Sequence, residues 1–259
     1  PESVGVIGAG PAGLAAAEQL RRKGYQVTVY DRYDRVGGLL IYGIPNFKLE
    51  KDIVQRREKL LRDSKVGFEL NCEVGRDVTM DELRQRHAAV LIATGVYKAR
   101  DIAAPGVGVK GIVAALDYLT ASNRNGLGDK VAEFDSGALN AKGKNVVVIG
   151  GGDTGMDCVS NALREGAKEA LLLDVYPDVP QDGRYPHTPW PTQPRRLLTT
   201  YALEEGGVRR FARQVTDLEG SGGAVETVHA RQVTGTSSRT LEPVPGSEYT
   251  LPAELVLIA

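Results

Sequence analysis

The 259-residue sequence predicts two α/β domains in tandem, each organised around a parallel sheet. Three observations lead there. First, a β-branched run enters a glycine-rich turn twice, at Val4-Gly-Val-Ile-Gly-Ala-Gly10-Pro-Ala-Gly13 and at Val146-Val-Val-Ile-Gly150-Gly-Gly152-Asp-Thr-Gly155, with an offset of 142 residues from Gly8 to Gly150. Second, each turn leaves through a helix-compatible stretch closed by glycine, Leu14 to Lys23 before Gly24 and Met156 to Glu165 before Gly166. Third, each copy continues into a strand ending in an acid, Val27 to Asp31 and Ala170 to Asp174. The acids fall 23 and 24 residues after Gly8 and Gly150.

A further match closes the repeat. Ala89-Val-Leu-Ile-Ala93 reappears as Leu255-Val-Leu-Ile-Ala259, and both read as late parallel strands of their halves. The first copy goes on to Thr94-Gly95, whereas the second stops at Ala259; the chain also starts without Met and is already strand-like at Val4. A segment trimmed inside a longer chain is the expectation.

Composition narrows the function classes. Lys plus Arg number 32 against 33 Asp plus Glu, a net charge of -1, so no long-range field favours nucleic acid or an anionic membrane. No apolar run approaches the roughly 20 residues of a membrane helix. Cys72 and Cys158 form neither a C-x-x-C pair nor a metal-ligand spacing, and His87, His187 and His229 are scattered. No zinc site, iron–sulfur cluster, disulfide framework or thioredoxin-reductase-like redox pair is therefore expected within the chain, and a reducing, cytoplasmic compartment fits. The 31 glycines stand out, about 12% against roughly 7% in average usage.

A lone G-x-G-x-x-G is weak, but strand before, helix after and acid at the right distance make each copy a Rossmann-like dinucleotide fingerprint. The first glycine (Gly8, Gly150) permits the tight turn. The second (Gly10, Gly152) lets a pyrophosphate approach the backbone, and the third (Gly13, Gly155) lets helix pack on strand. The helix N-terminus offers unpaired N–H groups and the positive dipole end, and Asp31 and Asp174 accept from ribose hydroxyls. Two such sites suggest a held flavin facing an exchangeable nicotinamide. Pro11-Ala12 puts no charge beside the first pyrophosphate, which suits FAD. Asp153 reads first as a helix cap, with a negative charge near phosphate as the other reading. Asp174 favours NADH over NADPH, although Arg184, ten residues on, could reach a 2'-phosphate.

These residues resemble a known family. Val36-Gly-Gly-Leu-Leu-Ile-Tyr-Gly-Ile-Pro-Asn-Phe-Lys48-Leu-Glu-Lys, Ala93-Thr-Gly95, Asp117-Tyr-Leu and Gly150-Gly-Gly-Asp-Thr-Gly-Met-Asp-Cys158 look like the small (β) subunits of glutamate synthase, over nearly the whole chain. Pro189-Trp-Pro191 and Ala202 to Gly207 are similar to the branch that carries an acid where others carry arginine. Related flavoprotein modules, such as that of dihydropyrimidine dehydrogenase, share several of these motifs. The resemblance implies a three-layer β/β/α, disulfide-reductase-like flavoprotein that oxidises NAD(P)H and passes electrons to a large subunit making glutamate from glutamine and 2-oxoglutarate. It further implies FAD contacts at Gly8, Gly10, Gly13, Asp31, Gly38, Leu39, Lys48, Val74 and Thr94, with Lys48 as the phosphate-pairing cation. Nicotinamide-coenzyme contacts are implied at Gly151, Gly152, Asp153, Thr154 and Asp174, with Ala259 near the nicotinamide end. The family's [4Fe-4S] clusters belong to an N-terminal cysteine-rich domain that these residues do not include. Its chain also returns to the FAD domain beyond the point matched by Ala259. The other readings kept open are the electron-input module of another iron–sulfur flavoenzyme and a nucleotide-binding module without turnover.

The division expected is residues 1–110 for FAD and 111–259 for NAD(P)H. Hydride transfer belongs to the cofactors and needs alignment, so no catalytic side chain is expected. Arg21-Arg-Lys23 reads as a solvated helix end. Arg56-Arg57 reads equally as surface or as a contact to FAD phosphate or a partner. Pro177 to Pro194 holds six of the 13 prolines, too many for a helix or central strand. It is either a cover for the nicotinamide site or a loop pinned by Trp190. Asp129 to Lys144 reads as a connector, and Val208 to Leu255 as an antiparallel meander. Cys72 and Cys158 read as packing residues.

Overall fold

The strand, glycine turn and helix read twice in the sequence are built twice in the structure, a computed structural model that describes residues 2–96, 102, 104–178, 191, 201–235 and 240–259. The chain divides into two units, Pro1–Lys98 with Asn123–Asp129, and Ala99–Ser122 with Lys130–Ala259. It thus changes unit near residue 98 and returns once at 123–129, whereas the sequence reading drew a single boundary at 110.

In the first unit β1 (Ser3–Ile7), α1 (Pro11–Arg22), β2 (Gln26–Tyr30), α2 (Leu39–Tyr42), α3 (Lys51–Asp63), β3 (Gly67–Glu69), α4 (Met80–Arg86) and β4 (Ala89–Ile92) follow in order. The four strands are parallel, in the order β3-β2-β1-β4. Period-2 alternation sends Val4 and Val6 to the face covered by Leu14 and Ala17 of α1 and Leu61 of α3. Ile7 and Tyr30 face Leu83 of α4. Both faces are therefore covered.

The second unit contains β5 (Ile112–Ala114), most of α5 (Ala115–Gly126), α6 (Ala132–Asp135), β6 (Asn145–Ile149), α7 (Asp153–Glu165), β7 (Glu169–Leu173), α8 (Tyr201–Glu204), β8 (Val208–Arg210), β9 (Arg213–Ser221), β10 (Ala224–Thr234), β11 (Glu242–Pro243), β12 (Tyr249–Pro252) and β13 (Leu255–Ile258). Its parallel sheet runs β5-β13-β6-β7-β8. With β6, β7, β8 and β13 in the places of β1, β2, β3 and β4, the strand order of the first unit recurs. Val146, Val148, Leu172, Leu255 and Leu257 pack under α5 and α7. Val147, Leu171, Leu173 and Val256 pack against Leu218, Val225 and Val228 of β9 and β10. This is the expected β/β/α layering.

Three expectations are corrected. The meander is confined to β9, β10, β11 and β12, since Val208–Arg210 runs parallel to β7 and Leu255 opens β13 of the parallel sheet. The stretch from Asp129 to Lys144 does lead as a connector into β6, and it contains the one-turn α6. The helices after the two turns start three residues earlier than the helix-compatible stretches, at Pro11 and Asp153; in α1 proline fits the first helical position, where the missing N–H would find no acceptor in any case. Asp153 is not a cap: Gly152 holds that position in extended backbone with no side-chain bond, and Asp153 is the first helical residue. Most of Pro177 to Pro194, including Arg184, His187, Pro189 and Trp190, lies outside the described residues. Among the described residues no helix is long and apolar enough to cross a membrane.

The third glycine of each turn is fixed by packing. A Cβ on Gly13 would stand 1.9 Å from the Gly8 carbonyl oxygen, and one on Gly155 2.0 Å from that of Gly150. Alanine would gain up to about 1 kcal/mol of helix propensity at either position, yet the atom it strikes is backbone and cannot swing aside. Gly13→Ala and Gly155→Ala should therefore destabilise by about 1–3 kcal/mol or more in denaturant titrations. Gly10→Ala and Gly152→Ala, whose Cβ meets nothing within 4 Å, should cost less than about 1 kcal/mol.

His87 is buried in the first unit, its Nδ1 2.6 Å from Ser3 Oγ and its Nε2 2.9 Å from Tyr30 Oη. Burial, then the neighbouring Arg86 charge, holds it below its ordinary value. The unfolded chain therefore takes up the proton more readily, so stability is full above about pH 6.5 and is lost as pH falls below it. The slope of stability between pH 7 and pH 5 should be flatter in His87→Gln than in the parent chain.

Candidate functional site

The first glycine turn opens onto a cavity of about 500 Å³. Gly8 sits at φ 110°, a conformation that glycine adopts at little cost, and its N–H donates to Tyr30 O at 2.8 Å. A Cβ there would strike the Ala93 carbonyl oxygen at 2.4 Å, so the turn is pressed against the end of β4. Gly10 faces open space, and the first N–H groups of α1 have no helical acceptor. Asp31, at the tip of β2, accepts from Ala9 N–H at 2.6 Å and Tyr33 N–H at 2.8 Å. Among the described residues it holds no ion pair.

Of the residues the sequence singled out, Gly8, Gly10, Pro11, Ala12, Asp31, Leu39, Val74 and Thr94 line this cavity together. Gly13 lies behind the turn, packed on Gly8. Gly38 caps α2 at φ 55°, and Lys48 stands in the turn after α2, its N–H donating to Pro45 O at 3.0 Å; neither is in the cavity wall. Tyr30, Arg32, Tyr33, Cys72 and Glu73, which sequence reading missed, line the wall as well. The signal for Arg32 and Tyr33 was their place directly after the strand-ending acid.

A polar network fixes the α2 loop beside the turn. Gly37 N–H donates to Ala9 O at 2.9 Å. Lys51 Nζ donates to the Leu40 and Ile44 carbonyls at 3.0 and 2.5 Å, and burial pulls its pKa down to about 8. Tyr42 Oη donates to Asp34 Oδ1 at 2.5 Å and accepts from Arg35 Nη1 at 2.9 Å; burial, then the Asp34 bond, pushes the phenol up to about 12. Arg35 meets Asp129 bidentately, at 2.7 and 2.6 Å. Arg57 of α3 pairs with Glu18 of α1, so its partner is a carboxylate of its own unit, while Arg56 is exposed.

The second turn repeats the backbone of the first. Gly150, at φ 125°, donates to Leu173 O at 3.1 Å, and its Cβ would lie 2.5 Å from the Ala259 carbonyl oxygen, as Gly8 does toward Ala93. Gly152, Asp153 and Thr154 are exposed at the start of α7, and Gly152 again faces open space. Gly151 has no room for a side chain, since its Cβ would stand 2.0 Å from Asp174 Oδ2. The acid, however, differs. Asp174 is buried and accepts from Arg209 Nη2 at 2.5 Å and from Tyr176 N–H at 3.0 Å. Arg209 was not anticipated, because it reaches Asp174 from β8, the adjacent parallel strand, 35 residues along the chain.

The remaining chemistry is sparse. Cys158 is fully buried and burial pushes its thiol up, whereas Cys72 is half-buried in the cavity wall. Among the described residues no group of His, Cys, Asp and Glu could hold a metal ion. What both turns present is the same device: a glycine-lined backbone open at its middle residue, a helix N-terminus and an acid at ribose distance in sequence.

Comparison with known proteins agrees with that geometry. Residues 2–259 match the family model for pyridine nucleotide-disulphide oxidoreductases. The chain is 52% identical to the glutamate synthase (NADPH) small chain of Azospirillum brasilense, over 99% of this chain and 52% of that one. It is 41% identical to the corresponding small chain of Bacillus subtilis, over 100% of this chain and 54% of that one. It thus spans about half the length of these curated relatives. Among solved structures, Mycobacterium tuberculosis FprA in complex with NADPH superposes with a TM-score of 0.74 at 19% identity, covering 100% of this chain and 70% of the other, which is a likeness of fold. The paired Rossmann-like units, the two glycine turns and the family match together place this chain in the pyridine nucleotide-disulphide oxidoreductase family.

Proposed function

We propose that the chain is the electron-input part of a flavin-dependent NAD(P)H oxidoreductase of the glutamate synthase type. The unit built on residues 1–98 and 123–129 takes FAD, and the other takes the nicotinamide coenzyme. One observation carries this: both turns are closed at the first and third glycines by backbone contacts and left open at the second, the position a pyrophosphate must approach. The names of the relatives supply the physiological reaction, the formation of glutamate.

In the first unit Gly8, Gly10, Pro11 and Ala12 present the backbone and helix N-terminus to the FAD phosphates, and Asp31 accepts from its ribose. Leu39, Val74 and Thr94 wall the cavity, and Gly38 and Lys48 set the loop that carries Leu39. In the second, Gly150, Gly151, Gly152, Asp153 and Thr154 take the coenzyme phosphates, Asp174 marks the ribose end, and Ala259 stands near the nicotinamide end. When bound, the nicotinamide and the flavin supply the hydride chemistry themselves. The protein binds, orients and excludes water, which requires no acid or base from this chain. Iron–sulfur clusters held by residues other than these, and a large subunit that uses glutamine and 2-oxoglutarate, would complete the relay. The neutral charge balance and the two unpaired cysteines suit the cytoplasm.

Purified protein loaded with FAD should show flavin absorbance that bleaches when NADPH or NADH is added anaerobically, and it should co-purify with a glutamine-using large subunit. Bleaching without that partner would favour the module of another iron–sulfur flavoenzyme. Protein that stays colourless with excess FAD yet binds NADH by calorimetry would contradict the enzyme reading.

A further inference from the structure

We infer that Arg209 decides coenzyme choice at the second turn: it converts Asp174 from an acceptor for a ribose 2'-hydroxyl into half of an ion pair and leaves a guanidinium facing a 2'-phosphate, so that NADPH is preferred. The inference rests on the reading of that turn as the nicotinamide-coenzyme site. An acid alone at the tip of the second strand repels a 2'-phosphate and selects NADH. Asp31 is such an acid, held by two backbone N–H groups and no cation among the described residues. Asp174 occupies the same place in the repeat, yet each of its oxygens is engaged, one by Arg209 and one by the Tyr176 N–H.

The pair carries no net charge, so the repulsion that Asp174 would exert on a phosphate is cancelled at its source. Arg209 is also only partly satisfied. Of the guanidinium's five N–H donors, the two on Nη2 meet Asp174 and the Gly151 carbonyl, at 2.5 and 3.0 Å. Nε is buried without an acceptor, and Nη1 meets none among the described residues. The group stacks over the Phe211 ring, 4.4 Å from its centroid, which holds its plane beside the glycine turn. With Nη2 engaged and Nε enclosed, Nη1 carries the two N–H donors left for a ligand, on a cation held beside the glycine turn, and charge-assisted bonds from such a group suit a dianionic phosphate.

The test is calorimetric titration of the FAD-replete protein, in which the first turn is filled, with adenosine 2',5'-bisphosphate and with 5'-AMP. The parent protein should bind the bisphosphate at least about tenfold more tightly, the scale of one hydrogen-bonded charge contact. In Arg209→Gln the two affinities should come within about twofold of each other. Because that variant leaves Asp174 buried without its cation, the double variant Arg209→Gln/Asp174→Asn, which removes both charges, should be titrated as well and should show the same loss. Arg209→Lys should keep part of the preference. A parent protein without preference for the bisphosphate, or variants that retain it, would overturn the role of Arg209 while leaving the coenzyme site standing. A parent protein that binds neither nucleotide would overturn the coenzyme site as well.

Discussion

The structure depends on one contact made twice: the start of a helix laid directly on the backbone of the turn that precedes it. The Cα of Gly13 faces the Gly8 carbonyl, and the Cα of Gly155 faces that of Gly150, with no room for a methyl group in either place. That approach sets the N-terminus of α1 or α7 beside the end of its strand, where the first N–H groups have no acceptor within the helix. It also brings the tip of the neighbouring strand alongside, which puts Asp31 or Asp174 at the mouth of the turn. A larger residue at the third glycine would move the helix, and the site would move with it.

The two copies share this frame and part company in electrostatics. At the first turn the acid is fixed by the N–H groups of Ala9 and Tyr33 and meets no cation among the described residues. At the second the acid is buried, and a guanidinium from β8 both neutralises it and touches the Gly151 carbonyl. Nothing in the strand order distinguishes the units at this point, because β8 stands beside β7 as β3 stands beside β2. The difference lies in what the third strand carries: Gly67, Phe68 and Glu69 in one copy, Val208, Arg209 and Arg210 in the other. Duplicated architecture with one exchanged strand surface is enough to give two turns of different electrostatics.

What could be read from the sequence was what is local along the chain or repeated within it. The glycine turns, the strand-ending acids and the equivalence of Ala93 with Ala259 were all legible, since each is set by neighbours in sequence or by the repeat. The α2 loop and Val74 were placed through family likeness and do fall near or in the cavity wall, although Lys48 stands outside it. Arg209 was illegible because its partner is 35 residues away and a parallel crossover joins them, whereas Arg184 drew attention through mere proximity to Asp174. The return of 123–129 to the first unit was hidden for a similar reason: it rests on Asn123 Nδ2 donating to Tyr42 O and on Arg35 meeting Asp129, pairs separated by 81 and 94 residues. The capping role given to Asp153 failed on a point of backbone, since Gly152 already holds the extended position that a cap requires.

On the function proposed above, one chain carries two phosphate cradles of the same construction. This is tested most directly by the stoichiometry of ADP binding to flavin-stripped protein, measured by equilibrium dialysis for the parent chain and for Gly10→Val and Gly152→Val, which fill the open centre of one cradle each. The expected result is two ADP per parent chain and one for either variant. A single ADP per parent chain, or the loss of both sites on filling one, would contradict it.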